Sequence, residues 1–126
     1  MALSATSEPS LTGGTWLVTG INNGRGAVSS VVGGTLVTAE FGDDGRVTGR
    51  TGCNDYQATY TTDDDTIAIG PVFTTRRACP SEAAATQEQA FLNALAAAST
   101  YEVSSDRATL RDPNGAAQLS LARRAR

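Results

Sequence analysis

Histidine and lysine are both missing from this 126-residue chain. Without imidazole there is no His-based catalytic triad and none of the common zinc sites. Without lysine there is no Schiff-base chemistry and no Walker-type phosphate loop, so all ten basic residues are arginine. No run of about 18 apolar residues occurs, which excludes a membrane-spanning helix. Positive charge is also short: thirteen acidic residues leave a net charge of −3, the wrong sign for a protein that binds nucleic acid. What remains is 40% apolar and 18% charged, a composition suited to a globular domain. A single domain of this length buries roughly two thirds of its unfolded surface and needs no metal to hold a core.

The opening MALSATSEPSLTGG has neither the basic region nor the apolar region of a signal peptide, and reads as a flexible leader over residues 1–13. Met1 is the sole methionine, as expected of a mature or excised domain whose targeting segment is absent from this chain. Mass spectrometry of the native protein tests that expectation. The two cysteines, Cys53 and Cys79, are too few for a closed metal site without histidine. An even count in a small domain favours a structural disulfide. Two free buried thiols, or a reactive Cys79 beside Arg76 and Arg77, are the other readings. A bond between them would stabilise the fold by about 3 kcal/mol in the chain-entropy model and place the protein in an oxidising compartment.

Beyond the leader the pattern is short apolar–polar alternation punctuated by Gly, Asp and Asn. Strands are predicted over Thr15–Thr19, Thr35–Phe41, Arg46–Cys53, Tyr56–Tyr60, Thr66–Ile69, Val72–Arg77, Thr100–Val103, Ala108–Arg111 and Ala116–Ala122. The turns between them include Asp43-Asp44-Gly45, Asp63-Asp64-Asp65, Ser104-Ser105-Asp106 and Asp112-Pro113-Asn114-Gly115. Residues 22–34, with Gly24, Gly26, Gly33 and Gly34, read as a long mobile loop. One segment changes period: Ser81 to Ala98 is rich in Ala, Gln and Leu, with Ser81 as N-cap. Ala84, Phe91, Leu92, Leu95 and Ala98 form its apolar stripe. About eight short antiparallel strands and one helix make a mainly β fold. The expected form is a small barrel-like meander of lipocalin-like topology, with the helix packed by one face.

The candidate constellations are weak. Asp63-Asp64-Asp65 lacks the alternating oxygens, glycine and distal glutamate of a calcium loop. Gly24-Arg25-Gly26 lacks the third glycine and the following helix of a dinucleotide site. Arg76 and Arg77 on a strand should face opposite sides, one of them inside the barrel with a carboxylate or carbonyl partner. Tyr56 and Tyr60 share a face, as core or rim rather than as a ligand platform. Arg123-Arg124-Ala125-Arg126 reads as a solvated end, frayed over residues 124–126. A general base near neutral pH would have to be a carboxylate raised by burial, and only Glu40 and Asp55 lie beside aromatic residues.

Taken in order, Gly14-Thr15-Trp16, Phe41 with the following Asp-Asp-Gly-Arg-Val, Thr51-Gly52-Cys53-Asn54, Tyr56, Thr74-Thr75-Arg76, Cys79, and Phe91-Leu92 with Leu95 resemble the META domain family (HslJ-like). The resemblance runs from about Leu11 to Arg123, and the domain is expected over residues 14–123. It implies a small β-barrel with one helix, often exported as a lipoprotein or an envelope-associated domain and linked loosely to stress responses. The family brings no catalytic residues. Its Cys-Asn and Thr-Thr-Arg motifs fall on Cys53-Asn54 and Thr74-Thr75-Arg76; the expected approach of the two adds to the even count in favouring a Cys53–Cys79 bond, and Asn54, Tyr56, Thr75 and Arg76 are the candidate structural or binding residues. The resulting expectation is a monomeric, non-enzymatic binding or stress-protective module of the cell envelope, with a protein or small ligand as partner and no cofactor or metal. A second reading is an inhibitor that presents residues 22–34 to an extracellular protease, which would need a rigid loop.

Overall fold

A computed structural model describes residues 10–124. Ten strands and one helix follow in order: β1 (Thr15–Asn22), β2 (Val28–Ser30), β3 (Thr38–Phe41), β4 (Arg46–Arg50), β5 (Asp55–Asp63), β6 (Thr66–Ile69), β7 (Phe73–Thr74), α1 (Glu82–Ala97), β8 (Thr100–Ser104), β9 (Arg107–Arg111) and β10 (Ala117–Arg123). Eight of these strands form one antiparallel sheet in the order β10-β9-β8-β6-β5-β4-β3-β1, and the pairing of β10 with β1 closes it into a barrel. Closure removes both sheet edges, the need that tight antiparallel turns create.

The strands form where residues alternate. In β5, Tyr56, Ala58 and Tyr60 face inward while Asp55, Gln57 and Thr59 face solvent. Leu119 and Leu121 do the same in β10. An eight-stranded barrel is just wide enough for side chains to fill it. Here Trp16, Phe41, Val47, Phe91, Leu95, Leu110, Leu119 and Leu121 are all fully buried. Two edge-to-face aromatic pairs organise that filling, Phe41 with Tyr60 at 5.1 Å and Tyr56 with Phe91 at 5.3 Å.

The helix lies over the barrel end where β1 and β9 finish and β10 begins, packing on β1 and β10. Ser81 caps it by accepting from the Ala84 N–H, and Glu82 sits at the positive end of the dipole. Its inward face carries Ala84, Gln87, Phe91, Ala94 and Leu95, while Leu92 is only half-buried. The stripe therefore turns slightly from the expected one and takes in a buried amide.

Four expectations are corrected. The flexible leader does not extend to residue 13: Leu11 is buried, its carbonyl accepts from the Trp16 indole, and Thr12 bridges to Phe41. Residues 1–9 lie outside the described ones. At the other end, Arg124 is not frayed, since its N–H donates to Thr15 O; residues 125 and 126 again lie outside. The 22–34 segment is not a free loop. β2 pairs with the end of β1, and Gln87 accepts from the Val32 N–H at 2.6 Å. The sequence hid this strand because Val-Ser-Ser is short and sits among glycines. Finally, neither Arg76 nor Arg77 enters the barrel; both are exposed, because the chain leaves the sheet after Thr74.

Candidate functional site

The motif residues meet at one corner of the helix-covered end, where β4 turns into β5. Thr51, Gly52, Cys53 and Asn54 make that turn, and Gly52 adopts a φ of 98° that a side chain would strain. A β-carbon there would also meet the Gln87 amide at 3.2 Å. The turn is held from inside by Thr51, whose fully buried hydroxyl accepts from the N–H groups of Cys53 and Asn54 and donates to Glu88 Oε2 at 2.5 Å.

Asn54 is the hub. Its Oδ1 accepts from the Thr75 hydroxyl at 2.8 Å and from the Arg77 N–H at 2.7 Å. Its Nδ2 donates to Arg77 O at 3.3 Å and to Glu88 Oε2 at 2.8 Å. The amide thus satisfies all four of its hydrogen-bonding positions and pairs with the Arg77 main chain as a neighbouring strand would. Thr75 completes the join, accepting from the Asp55 N–H while its own N–H donates to Asp55 O. Once 75–77 is fastened to 51–55, Cys79 lies opposite Cys53, and the two are bonded with their α-carbons 5.0 Å apart. Cys53 Sγ is 3.6 Å from the Ala84 carbonyl, and Cys79 Sγ is 3.7 Å from Glu88 Oε1. Both sulfurs and the Glu88 carboxylate cluster tightly enough for a metal site. With the sulfurs bonded to each other, neither is a thiolate ligand.

Of the residues singled out in the sequence, Cys53, Cys79, Asn54 and Thr75 share this corner. Tyr56 is next to it but turned into the core, its hydroxyl donating to Thr38 O at 2.7 Å and its ring against Phe91. Burial pushes the Tyr56 phenol far above its usual range. Tyr60 is raised as well, first by burial and then by Asp43 and Asp44. Arg76 stays outside the corner, exposed and without an ion pair among the described residues. Glu40 and Asp55 are also exposed, so neither is a carboxylate buried among aromatics. Asp55 instead bridges Arg50 at 3.0 Å and Arg77 at 3.4 Å on the surface.

Sequence reasoning missed Gln87 and Glu88, and carried Thr51 only as part of the Thr51-Gly52-Cys53-Asn54 motif. The available signal was the helix itself: positions 84, 87, 88, 91, 94, 95 and 98 follow one helical stripe, and two of them are polar. Polar residues inside an apolar stripe must find buried partners. Gln87 finds Thr35 and the Val32 N–H; Glu88 finds Thr51 and Asn54.

No curated protein matches the chain's sequence. Among solved structures, the fold is similar to an NMR structure of a protein from Burkholderia xenovorans, with a TM-score of 0.75 and 26% identity over 92% of this chain and 85% of that one. It is also similar to the crystal structure of a DUF4847 family protein from Bacteroides vulgatus, with a TM-score of 0.65 and 19% identity over 92% of this chain and 96% of that one. The META domain family model matches residues 9–125. The barrel, the covering helix and the motif corner are accordingly those of one family, and this chain belongs to the META domain family.

Proposed function

We propose that this META domain is a non-catalytic binding module that works outside the cytoplasm, in the cell envelope or beyond it. The observation that carries the reading is the saturation of the motif corner. Every polar group that the motifs supply there is committed to another group of the protein, and both sulfurs are bonded to each other. A nucleophilic enzyme needs a free nucleophile beside a base. Among the described carboxylates all but Glu88 and Asp112 are exposed, and those two already accept hydrogen bonds. Asp112 is held below the usual carboxylate range, chiefly by the Ala116 N–H, which is the wrong direction for a base near neutral pH. The filled interior leaves recognition to the outer surface, and the disulfide supports an oxidising compartment.

A panel of esterase, protease, glycosidase and phosphatase substrates tests the reading. The expected result is no turnover by the purified domain. Turnover that disappears in Glu40→Gln or Asp55→Asn would overturn it.

A further inference from the structure

The outer face of β4, β5 and β7 combines three features. First, it carries Phe73, which is 67% exposed and is the most exposed large apolar side chain among the described residues. Phe73 lines two clefts of about 310 and 320 Å³, one running toward Thr48 and Thr75, the other toward Arg46 and Pro71. Second, charge separates here. Residues 46–50, 55–59 and 71–77 hold four arginines (Arg46, Arg50, Arg76, Arg77) and one carboxylate, Asp55, in a chain whose net charge is −3. Third, β7 pairs with β5 alone. Phe73 is opposite Gln57, and the Thr75 N–H donates to Asp55 O. Alternate residues of a strand bond to opposite sides, so the main-chain groups of Val72, Thr74 and Arg76 point away from β5, where no strand follows among the described residues. The closed barrel has no edge of its own, and apart from β2, which pairs with β1 alone, β7 is the strand among the described residues that leaves one open.

We propose that the edge of β7 binds an extended acidic segment of another protein by strand addition, on the reading above that the domain is a binding module. The free main chain of residues 72–76 supplies the hydrogen-bond ladder, a feature that only another extended chain can match. Phe73 supplies the apolar contact, and Arg76 and Arg77, exposed on the edge segment itself, select carboxylates on the incoming strand. The ladder is what favours a peptide over an anionic lipid or glycan, which would use the arginines and leave the edge unpaired.

The probe is a peptide alternating valine with glutamate and carrying fluorescein on its N-terminal amine, fluoresceinyl-VEVEVEVE-amide, followed by fluorescence anisotropy at low salt. A lysine-for-glutamate version and a version N-methylated at every peptide nitrogen serve as comparisons. The glutamate peptide should bind at least about tenfold more tightly than the lysine peptide, and N-methylation should abolish binding. Phe73→Ser should weaken binding about tenfold while leaving the melting temperature unchanged, since its ring is exposed. Arg77→Ala should weaken it less and reduce its salt dependence. Equal binding of the methylated peptide would overturn strand addition, and equal binding of the lysine peptide would overturn charge selection. Dimerisation of the chain alone that Phe73→Ser removes would make a second copy the occupant and overturn the proposal. So would binding to anionic phosphatidylglycerol vesicles with none to the peptide. Absence of peptide binding with a silent substrate panel rejects this surface and leaves the binding-module reading standing, whereas turnover rejects that reading itself.

Discussion

The two sides of strand β5 make opposite use of their side chains. Inward, beginning at Asn54 and continuing through Tyr56 and Tyr60, each polar atom has a protein partner. Outward, Asp55, Gln57 and Thr59 stand in water, with Phe73 exposed beside them and arginines around them. The difference separates two roles that the motifs alone run together. Thr51-Gly52-Cys53-Asn54 and Thr74-Thr75-Arg76 are adjacent to both sides, but the side chains of Thr51, Cys53, Asn54 and Thr75 are spent on joining β5, the 75–79 segment and the helix. Groups consumed in that way stabilise a fold, while groups left over on a rigid face are available to a partner.

The comparison can be broken from the inside first. Phe91→Ala removes the ring that packs on Tyr56 and leaves a cavity under the helix, so it should cost about 4 kcal/mol in denaturant unfolding. Opening the disulfide should cost about 3 kcal/mol by the same measurement. Thiol titration of the unreduced protein in denaturant should accordingly find no free thiol. Asn54→Ala leaves the Arg77 main chain and Glu88 short of partners and should cost about 2 kcal/mol. A smaller effect belongs to Tyr56, whose phenol is raised in the folded state. Folding should lose stability as pH rises past about 10, where the unfolded tyrosine ionises and the buried one does not. Tyr56→Phe should make that alkaline slope shallower in pH-dependent urea titrations. On the outer side, Phe73→Ser should change stability by less than about 0.5 kcal/mol. A cost comparable to that of Asn54→Ala would mean that Phe73 belongs to the structure and would erase the distinction.

The barrel was legible because its strands alternate cleanly and its turns carry Asp, Asn and Gly where positive φ or tight geometry is needed. The helix was legible to within one residue at each end, because Ser81 is an N-cap followed by good helix formers. Three kinds of information were not local. β2 is recognisable only through its partner Gly20–Asn22. Leu11 joins the core through distant partners, its carbonyl accepting from the Trp16 indole and the next residue bridging to Phe41. The corner at Asn54 depends on Glu88, which lies 34 positions away in sequence and on a different type of element. The motifs contain five of the corner's side chains, Thr51, Cys53, Asn54, Thr75 and Cys79, while Glu88, which holds the turn to the helix, lies outside them among the polar residues of the helix stripe. Arg76 shows the reverse case: it belongs to the motif by sequence, yet the chain turns it out into solvent.

The most direct test is a titration of the ¹⁵N-labelled domain with the alternating valine–glutamate peptide, followed by amide chemical shifts. The account predicts that shifts move at Gln57, Phe73, Thr74 and Arg76, while Gly52, Cys53 and the inward face of α1 stay still. Shifts that move chiefly at residues 22–34 or along α1, with the β7 edge unchanged, would contradict it.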